Sequence, residues 1–98
     1  MVGVIRGFRG KETRSIWERG RWRVVPANLQ RKALRKLTEL NNAEELDDLR
    51  VPPGNRLEKL SGDQEGQHCI RINDRYRVCF VWRSEAGDAR DVEVVDYH

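Results

Sequence analysis

The sequence has little of what would place it among disulfide-rich, metal-binding or membrane proteins. Its two cysteines, Cys69 and Cys79, are too few for a disulfide scaffold, and no Cys-x-x-Cys spacing indicates zinc. No apolar run could span a bilayer, and residues 1–10 carry two arginines without the apolar stretch of a signal peptide. There is no repeat. We therefore expect a cytoplasmic protein that contacts no membrane, with one domain over residues 1–98 and no metal or cofactor.

Charge is plentiful, but it is unevenly distributed along the chain. Residues 1–36 contain eleven Lys and Arg against two Asp and Glu, a net charge of +9. Residues 37–66 contain three against eight (−5), and residues 67–98 contain five against six (−1). A basic segment attracts phosphate backbones or an acidic partner, although a well-solvated surface has the same composition. The charge distribution leaves both interpretations open.

Hydrophobic spacing predicts an opening strand followed by two helices. Residues 2–8 form the strand, and residues 11–19 form a helix with Ile16 and Trp17 inward. A second helix begins near Pro26, a residue favoured at the first helical position. Its polar side carries a basic face that either contacts RNA or is simply solvated, made of Arg31, Lys32, Arg35 and Lys36.

The later part of the chain predicts strands. Asn42 and Glu45 have the spacing of a capping arrangement for a short helical turn, and residues 56–60 form a weak strand. Three stretches rich in Val, Ile, Tyr, Phe and Trp follow, at residues 67–72, 76–83 and 89–97. The order predicts an α+β fold in which the N-terminal strand and two helices pack on a mainly antiparallel, twisted sheet.

The turn at residues 73–75 sets the register of the best-defined hairpin. A two-residue loop would put Ile70 opposite Arg77 and mix apolar and charged side chains on each face. A three-residue loop gives one apolar face, with Ile70 opposite Val78, and so is the preferred register. Such a loop calls for one left-handed residue, which Asn and Asp tolerate better than most.

The preferred register makes Arg71 and Arg77 cross-strand neighbours on the face opposite the apolar one. Opposed like charges destabilise a sheet, so the pair indicates an anion between them, and arginine suits bidentate phosphate binding. Nearby carboxylates or water could instead neutralise the two charges. The same register opposes Cys69 and Cys79, which we expect to remain free thiols in a reducing compartment.

Two further candidates carry proton-transfer chemistry. The chain ends in Asp96, Tyr97 and His98 at the end of a predicted strand, where His98 can move protons and Tyr97 can stack on a base. Strict alternation places Tyr97 on the opposite face from its two neighbours, so the three converge only if the strand end twists. His68 is a second candidate, although a lone histidine there is commonly structural or solvent-facing.

Three segments resemble the HigB branch of the RelE/ParE toxin superfamily: DLRVPPGNRLE at 48–58, GQHCIRINDRYRVCF at 66–80 and VEVVDYH at 92–98. The resemblance covers essentially the whole chain and is strongest from Asp48 onward. It implies a metal-independent, ribosome-dependent mRNA endonuclease that acts by 2′-OH attack and inhibits translation. The implied partners are the ribosomal A site with its mRNA, a HigA-type helix-turn-helix antitoxin in a hetero-oligomer, and operator DNA through that antitoxin.

The resemblance also implies functional roles at matching positions. The family carries function where this chain has Arg71, Arg77, Asp96, Tyr97 and His98. Some relatives have a catalytic lysine at the position of Ser61, and Lys59 lies two residues earlier with the same expected facing. Substrate contacts are also expected at His68, Lys59, Arg31, Lys32 and Arg35. A ParE-like gyrase poison on the same fold and a non-catalytic RNA-binding module remain alternatives.

Overall fold

The computed structural model describes residues 3–19, 26–60 and 66–96. The helices are α1 (Lys11–Arg19) and α2 (Ala27–Asn42), followed by 3-10 turns at Leu46–Arg50 and Pro53–Asn55. The strands are β1 (Glu58–Lys59), β2 (Gln67–Arg71), β3 (Tyr76–Arg83) and β4 (Asp88–Asp96). They form one antiparallel sheet in the order β1-β2-β3-β4, which confirms the α+β class. No helix within the described ranges is long and apolar enough to cross a membrane.

The N-terminal segment lies along the outer edge of β4. Isolated parallel bridges join Ile5 to Ala89 and Phe8 to Val92, and the Arg6 N–H donates to the Ala89 carbonyl at 2.8 Å. The expected regular opening strand is therefore reduced to two bridges, since the glycines in this stretch disfavour continuous pairing. The segment still satisfies backbone groups along an edge that would otherwise be exposed.

The hydrophobic core lies between the two helices and one face of the sheet. Ile16 of α1 and Leu37 of α2 have no exposed surface and belong to one cluster with Ile70 and Val78. Trp17 packs against the border of this cluster, so the inward side of α1 is confirmed. Each fully buried aliphatic side chain contributes about 1.5–3 kcal/mol. The opposite face of the sheet has no helix against it in the described part of the chain.

The basic face expected on α2 is only partly exposed. Arg31, Lys32 and Arg35 are exposed, whereas Lys36 is 8% exposed and donates to Asn55 Oδ1 at 2.6 Å. Grouping Lys36 with the basic face was wrong because a buried acceptor in the Pro53–Asn55 turn draws its ammonium inward.

The turn at Leu46–Arg50 has Glu45 as its N-cap residue, with a capping box completed by Asp48, which the sequence analysis did not select. The carboxylate of Asp48 accepts the backbone N–H of Glu44 and Glu45 at 2.9 and 3.0 Å. The predicted capping pair, Asn42 with Glu45, lies three residues too early in the chain. The reason is that α2 continues through Asn42, so that the turn begins later.

Candidate active site

The hairpin of β2 and β3 has the predicted register, which confirms the three-residue loop. The directly opposed pairs are Arg71 with Arg77, Ile70 with Val78, and Cys69 with Cys79. Ladder hydrogen bonds run from Ile72 N to Tyr76 O at 3.0 Å and from Trp82 N to Gly66 O at 2.9 Å. Counting from these, the arginine pair and the cysteine pair are non-hydrogen-bonded pairs, whose Cα atoms approach to about 4.5 Å. The two arginines are thus as close as two strands allow.

The loop reaches this register without a left-handed residue. The non-glycine residues with positive φ in the described chain are Arg56 and Asp91, so the expectation for residues 73–75 was wrong. The side chain of Asn73 takes over instead, because its Oδ1 accepts the N–H of Arg75 and of Tyr76, each at 2.8 Å. An Asn side chain that mimics a backbone carbonyl is a common way to close a turn.

We call the helix-free side of the sheet the arginine face. It carries Arg71, Arg77 and the two cysteines, and Glu93 joins them because it pairs with Cys79. Both arginines are partly exposed, with 24% of the Arg71 side chain accessible. The apolar residues on the other side, such as Ile70 and Ile72, are fully buried. The predicted division of the hairpin into two faces is therefore correct.

Internal acceptors orient both guanidinium groups. Arg71 forms an ion pair with Asp74, whose side chain is 98% exposed. Arg77 donates from one terminal nitrogen to the Asn73 carbonyl at 2.6 Å and to the Tyr76 carbonyl at 3.2 Å. The hairpin therefore holds both cations in place, and at Arg71 an incoming phosphate would compete with a carboxylate that is exposed to solvent.

The opposed cysteines are buried and form no disulfide, as expected. A hydrogen bond with Cys69 and, next, burial raise the pKa of the Cys79 thiol above its usual range. Since the thiolate is the reactive form, this pair is suited to packing beside the arginines and poorly suited to nucleophilic chemistry.

Asp96 lies on the other side of the sheet from the arginine pair. It pairs with Tyr76 in the β3–β4 ladder, and Tyr76 faces the core. The Asp96 carboxylate accepts from Nε and a terminal nitrogen of Arg75 at 3.0 and 2.9 Å. This hydrogen bond and the charge of Asp96 raise the pKa of Arg75, which also lies 5.5 Å over the Tyr76 ring.

Arg75 was missed because nothing local in the sequence links it to a residue 21 positions later. The alternation of side chains along β4 was the signal that could have helped, because it places Asp96 on the side of the sheet away from the arginine face. Three residues singled out from the sequence, Tyr97, His98 and Ser61, lie outside the described residues.

The structure places Lys59 and His68 together, away from the arginine pair. The two are directly opposed in the β1–β2 ladder, on the side of the sheet where His68 stacks on Phe80 at 6.2 Å between ring centres. They line a groove of about 470 Å³, together with Arg83 and Glu85. The predicted site residues of the described chain therefore fall into separate groups, with the basic side chains of α2 on the outer surface of the helix layer.

Comparison with known proteins identifies the family. A family model described as the RelE-like toxin of type II toxin-antitoxin system HigB matches residues 6–98. This chain belongs to that HigB-like toxin family. Toxin HigB-1 of Vibrio cholerae is 44% identical over 62 residues, which is 63% of this chain and 65% of the relative. An uncharacterized protein of Haemophilus influenzae is 32% identical over 68 residues, 69% of this chain. The chain spans 65% of the length of both relatives.

Proposed function

We propose that this HigB-family chain is the toxin of a type II toxin-antitoxin pair and cuts mRNA on the ribosome. The observation that carries the proposal is the Arg71–Arg77 pair on the helix-free face of the sheet. Two guanidinium groups at the closest cross-strand spacing create a local positive field that suits a phosphate bound through paired hydrogen bonds. The family match and the similarity to a HigB-1 toxin support the same assignment.

The proposed reaction is an in-line attack within the RNA. The ribose 2′-oxygen bonds to the adjacent phosphorus, and the bond from phosphorus to the 5′-oxygen breaks, which leaves a cyclic phosphate and a 5′-hydroxyl. Arg71 and Arg77 stabilise the charge that develops on the phosphorus oxygens. His98 is the proposed proton-transfer group, Tyr97 stacks on a base, and Asp96 acts through its contact with Arg75.

The ribosome supplies positioning that this site needs. Within residues 66–96 the one histidine, His68, lies on the opposite side of the sheet from the arginine pair. A site with few proton-transfer groups gains most from a substrate that is held rigidly, since alignment alone contributes several kcal/mol. We therefore propose mRNA in the ribosomal A site as the substrate.

The proposed partner is a HigA-type antitoxin with a helix-turn-helix domain. Its complex with this chain would be a hetero-oligomer that represses the operon through operator DNA. Co-expression of the neighbouring helix-turn-helix protein is expected to prevent growth arrest and to co-purify with this chain. A neighbour that does neither would contradict the partner assignment.

The first test is induction of the chain in a bacterial host with mapping of new mRNA 5′ ends. We expect ends within translated codons and growth arrest, and we expect Arg71→Ala and Arg77→Ala to abolish both. Arg71→Ala is the cleaner variant because Arg77 also bonds the loop carbonyls. Arg50→Ala removes an exposed arginine in the Leu46–Arg50 turn and is the matched control.

Each other outcome points to a specific alternative. DNA damage without mRNA cuts would favour a gyrase poison, and neither effect would favour plain RNA binding. Full toxicity of a folded Arg71→Ala chain, with circular dichroism like that of the unchanged protein, would remove the arginine pair from the mechanism.

A further inference from the structure

A second opposed basic pair lies on the other side of the sheet. Lys59 and His68 are directly opposed across β1 and β2, just as Arg71 and Arg77 are across β2 and β3. Along β2 the two pairs are three residues apart, about 10 Å. The sheet thus presents one basic pair on each side, and the Lys59–His68 pair opens into the groove of about 470 Å³.

The imidazole of His68 is held in one orientation and one tautomer. Its Nδ1 lies 2.8 Å from the Gly66 carbonyl oxygen, which can only accept, so Nδ1 carries the proton of that bond. Stacking on Phe80 fixes the ring plane. In the described part of the chain Nε2 has no hydrogen-bond partner, which leaves it available to a ligand as an acceptor or, when protonated, as a donor.

Gly66 is required for this arrangement. Its φ is +85°, and a Cβ added there would lie 2.6 Å from the Trp82 carbonyl oxygen. A glycine with positive φ therefore lets the chain pass close to β3 and aim its carbonyl at His68. The backbone is built in a way that orients an imidazole at the groove.

The cation beside His68 is also available to a ligand. Lys59 is exposed and, among the described residues, has no hydrogen-bond or ion-pair partner. At the groove rim Arg83 forms a loose ion pair with Glu85 at 3.7 Å, and 82% of the Glu85 side chain is exposed. The Lys59 ammonium attracts an oxyanion, and beside it a protonated Nε2 of His68 can donate a hydrogen bond to the same group.

We propose that Lys59 and His68 form a second phosphate-binding site, separate from the arginine pair, which holds a backbone phosphate of single-stranded RNA. Lys59 supplies the charge, and Nε2 of His68 supplies a directed hydrogen bond when protonated. The two-residue strand β1 is the edge of the sheet, so one RNA strand that bends around this short edge reaches both sides. The identity of the phosphate as part of RNA rests on the proposed function, whereas phosphate binding itself does not.

Binding of a non-cleavable probe tests the proposal with the whole chain. The probe is a 2′-O-methyl single-stranded oligonucleotide, and its affinity is measured by fluorescence anisotropy over a range of salt concentrations. The slope of log affinity against log salt is negative, and each lost phosphate contact makes it less steep by about 0.7 for single strands. We expect Lys59→Gln to make the slope less steep by about that amount. Arg50→Gln removes the same charge from an exposed site in the Leu46–Arg50 turn and should leave the slope unchanged.

Nitrogen NMR of the His68 ring reports directly on the groove. We expect the chemical shift of the Nε2 resonance to change when the oligonucleotide is added and also when inorganic phosphate is added. Both changes should be smaller in Lys59→Gln. If the Nε2 resonance responds to inorganic phosphate but not to the oligonucleotide, and Lys59→Gln has the same salt slope as the unchanged chain, the RNA assignment would be overturned in favour of a free phosphate. No shift with either probe, together with an unchanged slope, would overturn the site.

These results are independent of the nuclease assignment. If the chain cuts mRNA but the His68 resonance does not respond, the proposed function stands and the second site is ruled out. If the chain binds phosphate at His68 but neither arrests growth nor cuts mRNA, the site stands and the proposed function is ruled out.

Discussion

The two opposed basic pairs differ in what the chain itself provides for their charges. The arginine pair lies beside a loop that folds back onto it, so that Asp74 meets Arg71 and two carbonyls meet Arg77. Among residues 3–19, 26–60 and 66–96, the Lys59–His68 pair receives one internal acceptor, the Gly66 carbonyl. In the proposed roles, the first pair is held in position before a phosphate arrives, whereas the second leaves the Lys59 ammonium and Nε2 of His68 open for a ligand.

The supports of the two pairs differ as well. The arginine pair belongs to a hairpin that is closed by its own Asn73. Lys59 lies on a strand of two residues that follows the Pro53–Asn55 turn. That turn is joined to α2 through Asn55, which is fully buried and accepts from Lys36. The groove therefore depends on a distant buried contact, and the hairpin on a local one.

Replacement of this distant support should have the largest effect on stability. Asn55→Ala removes one acceptor of the buried Lys36 ammonium, which keeps its ion pair with Glu39 at 3.2 Å. It also removes three donated bonds, to Glu39 at 3.0 Å and to the Leu49 and Val51 carbonyls at 3.2 and 3.5 Å. Loss of a partner to a buried charged group costs about 3 kcal/mol. Thermal unfolding should shift downward by more than about 10 °C.

Hydrogen exchange shows which part of the molecule the substitution destabilises, and this tests the comparison more directly than the melting temperature. Hydrogen exchange of the Leu60 amide, which bonds to Gln67 O across β1 and β2, should accelerate more than that of the Ile72 amide in the hairpin. Asn28→Ala, an exposed asparagine of α2, is the control and should change neither amide. Equal acceleration of both amides in Asn55→Ala would show that the two pairs share one support.

A smaller effect is expected from the local support of the arginine pair. Asn73→Ala removes the acceptor of two loop N–H groups and should destabilise the chain by about 1–2 kcal/mol. Asn73→Asp keeps the accepting oxygen and should recover most of the loss in a thermal melt. Hydrogen exchange of the Leu60 amide should accelerate only as much as the loss of global stability accounts for. Equal stability of the Ala variant and the unchanged chain would mean that the loop closes without this side chain.

The sequence predicted the hairpin because local rules determine it. Burial of Ile70, Val78 and their same-face neighbours is compatible with one register only, and the closest cross-strand positions of the arginines and cysteines follow from it. The loop conformation was not predictable in the same way, since Asn73 can close the turn either through its backbone or through its side chain. The structure uses the side chain.

The long-range contacts could not be read from the sequence. Lys36 looked like part of an exposed face because its acceptor, Asn55, is 19 residues away. The pairing of Lys59 with His68 depends on where a two-residue strand meets β2, and such short strands have weak patterns. The tautomer of His68 depends on a carbonyl that a glycine aims at it, which composition does not reveal.

The smallest change in stability, and the most informative one for mechanism, is expected at the link between the arginine hairpin and β4. Arg75→Gln should weaken growth arrest several-fold with almost no change in thermal unfolding, because the ion pair with Asp96 is exposed. If Asp96 acts only through this contact, the exchanged pair Arg75→Asp with Asp96→Arg should restore activity that each single variant lacks. Growth arrest and mRNA 5′ ends provide the measurement. An exchanged pair as inactive as Asp96→Arg alone would mean that the carboxylate contacts RNA or a proton-transfer group directly, and that the arginine hairpin works without the link.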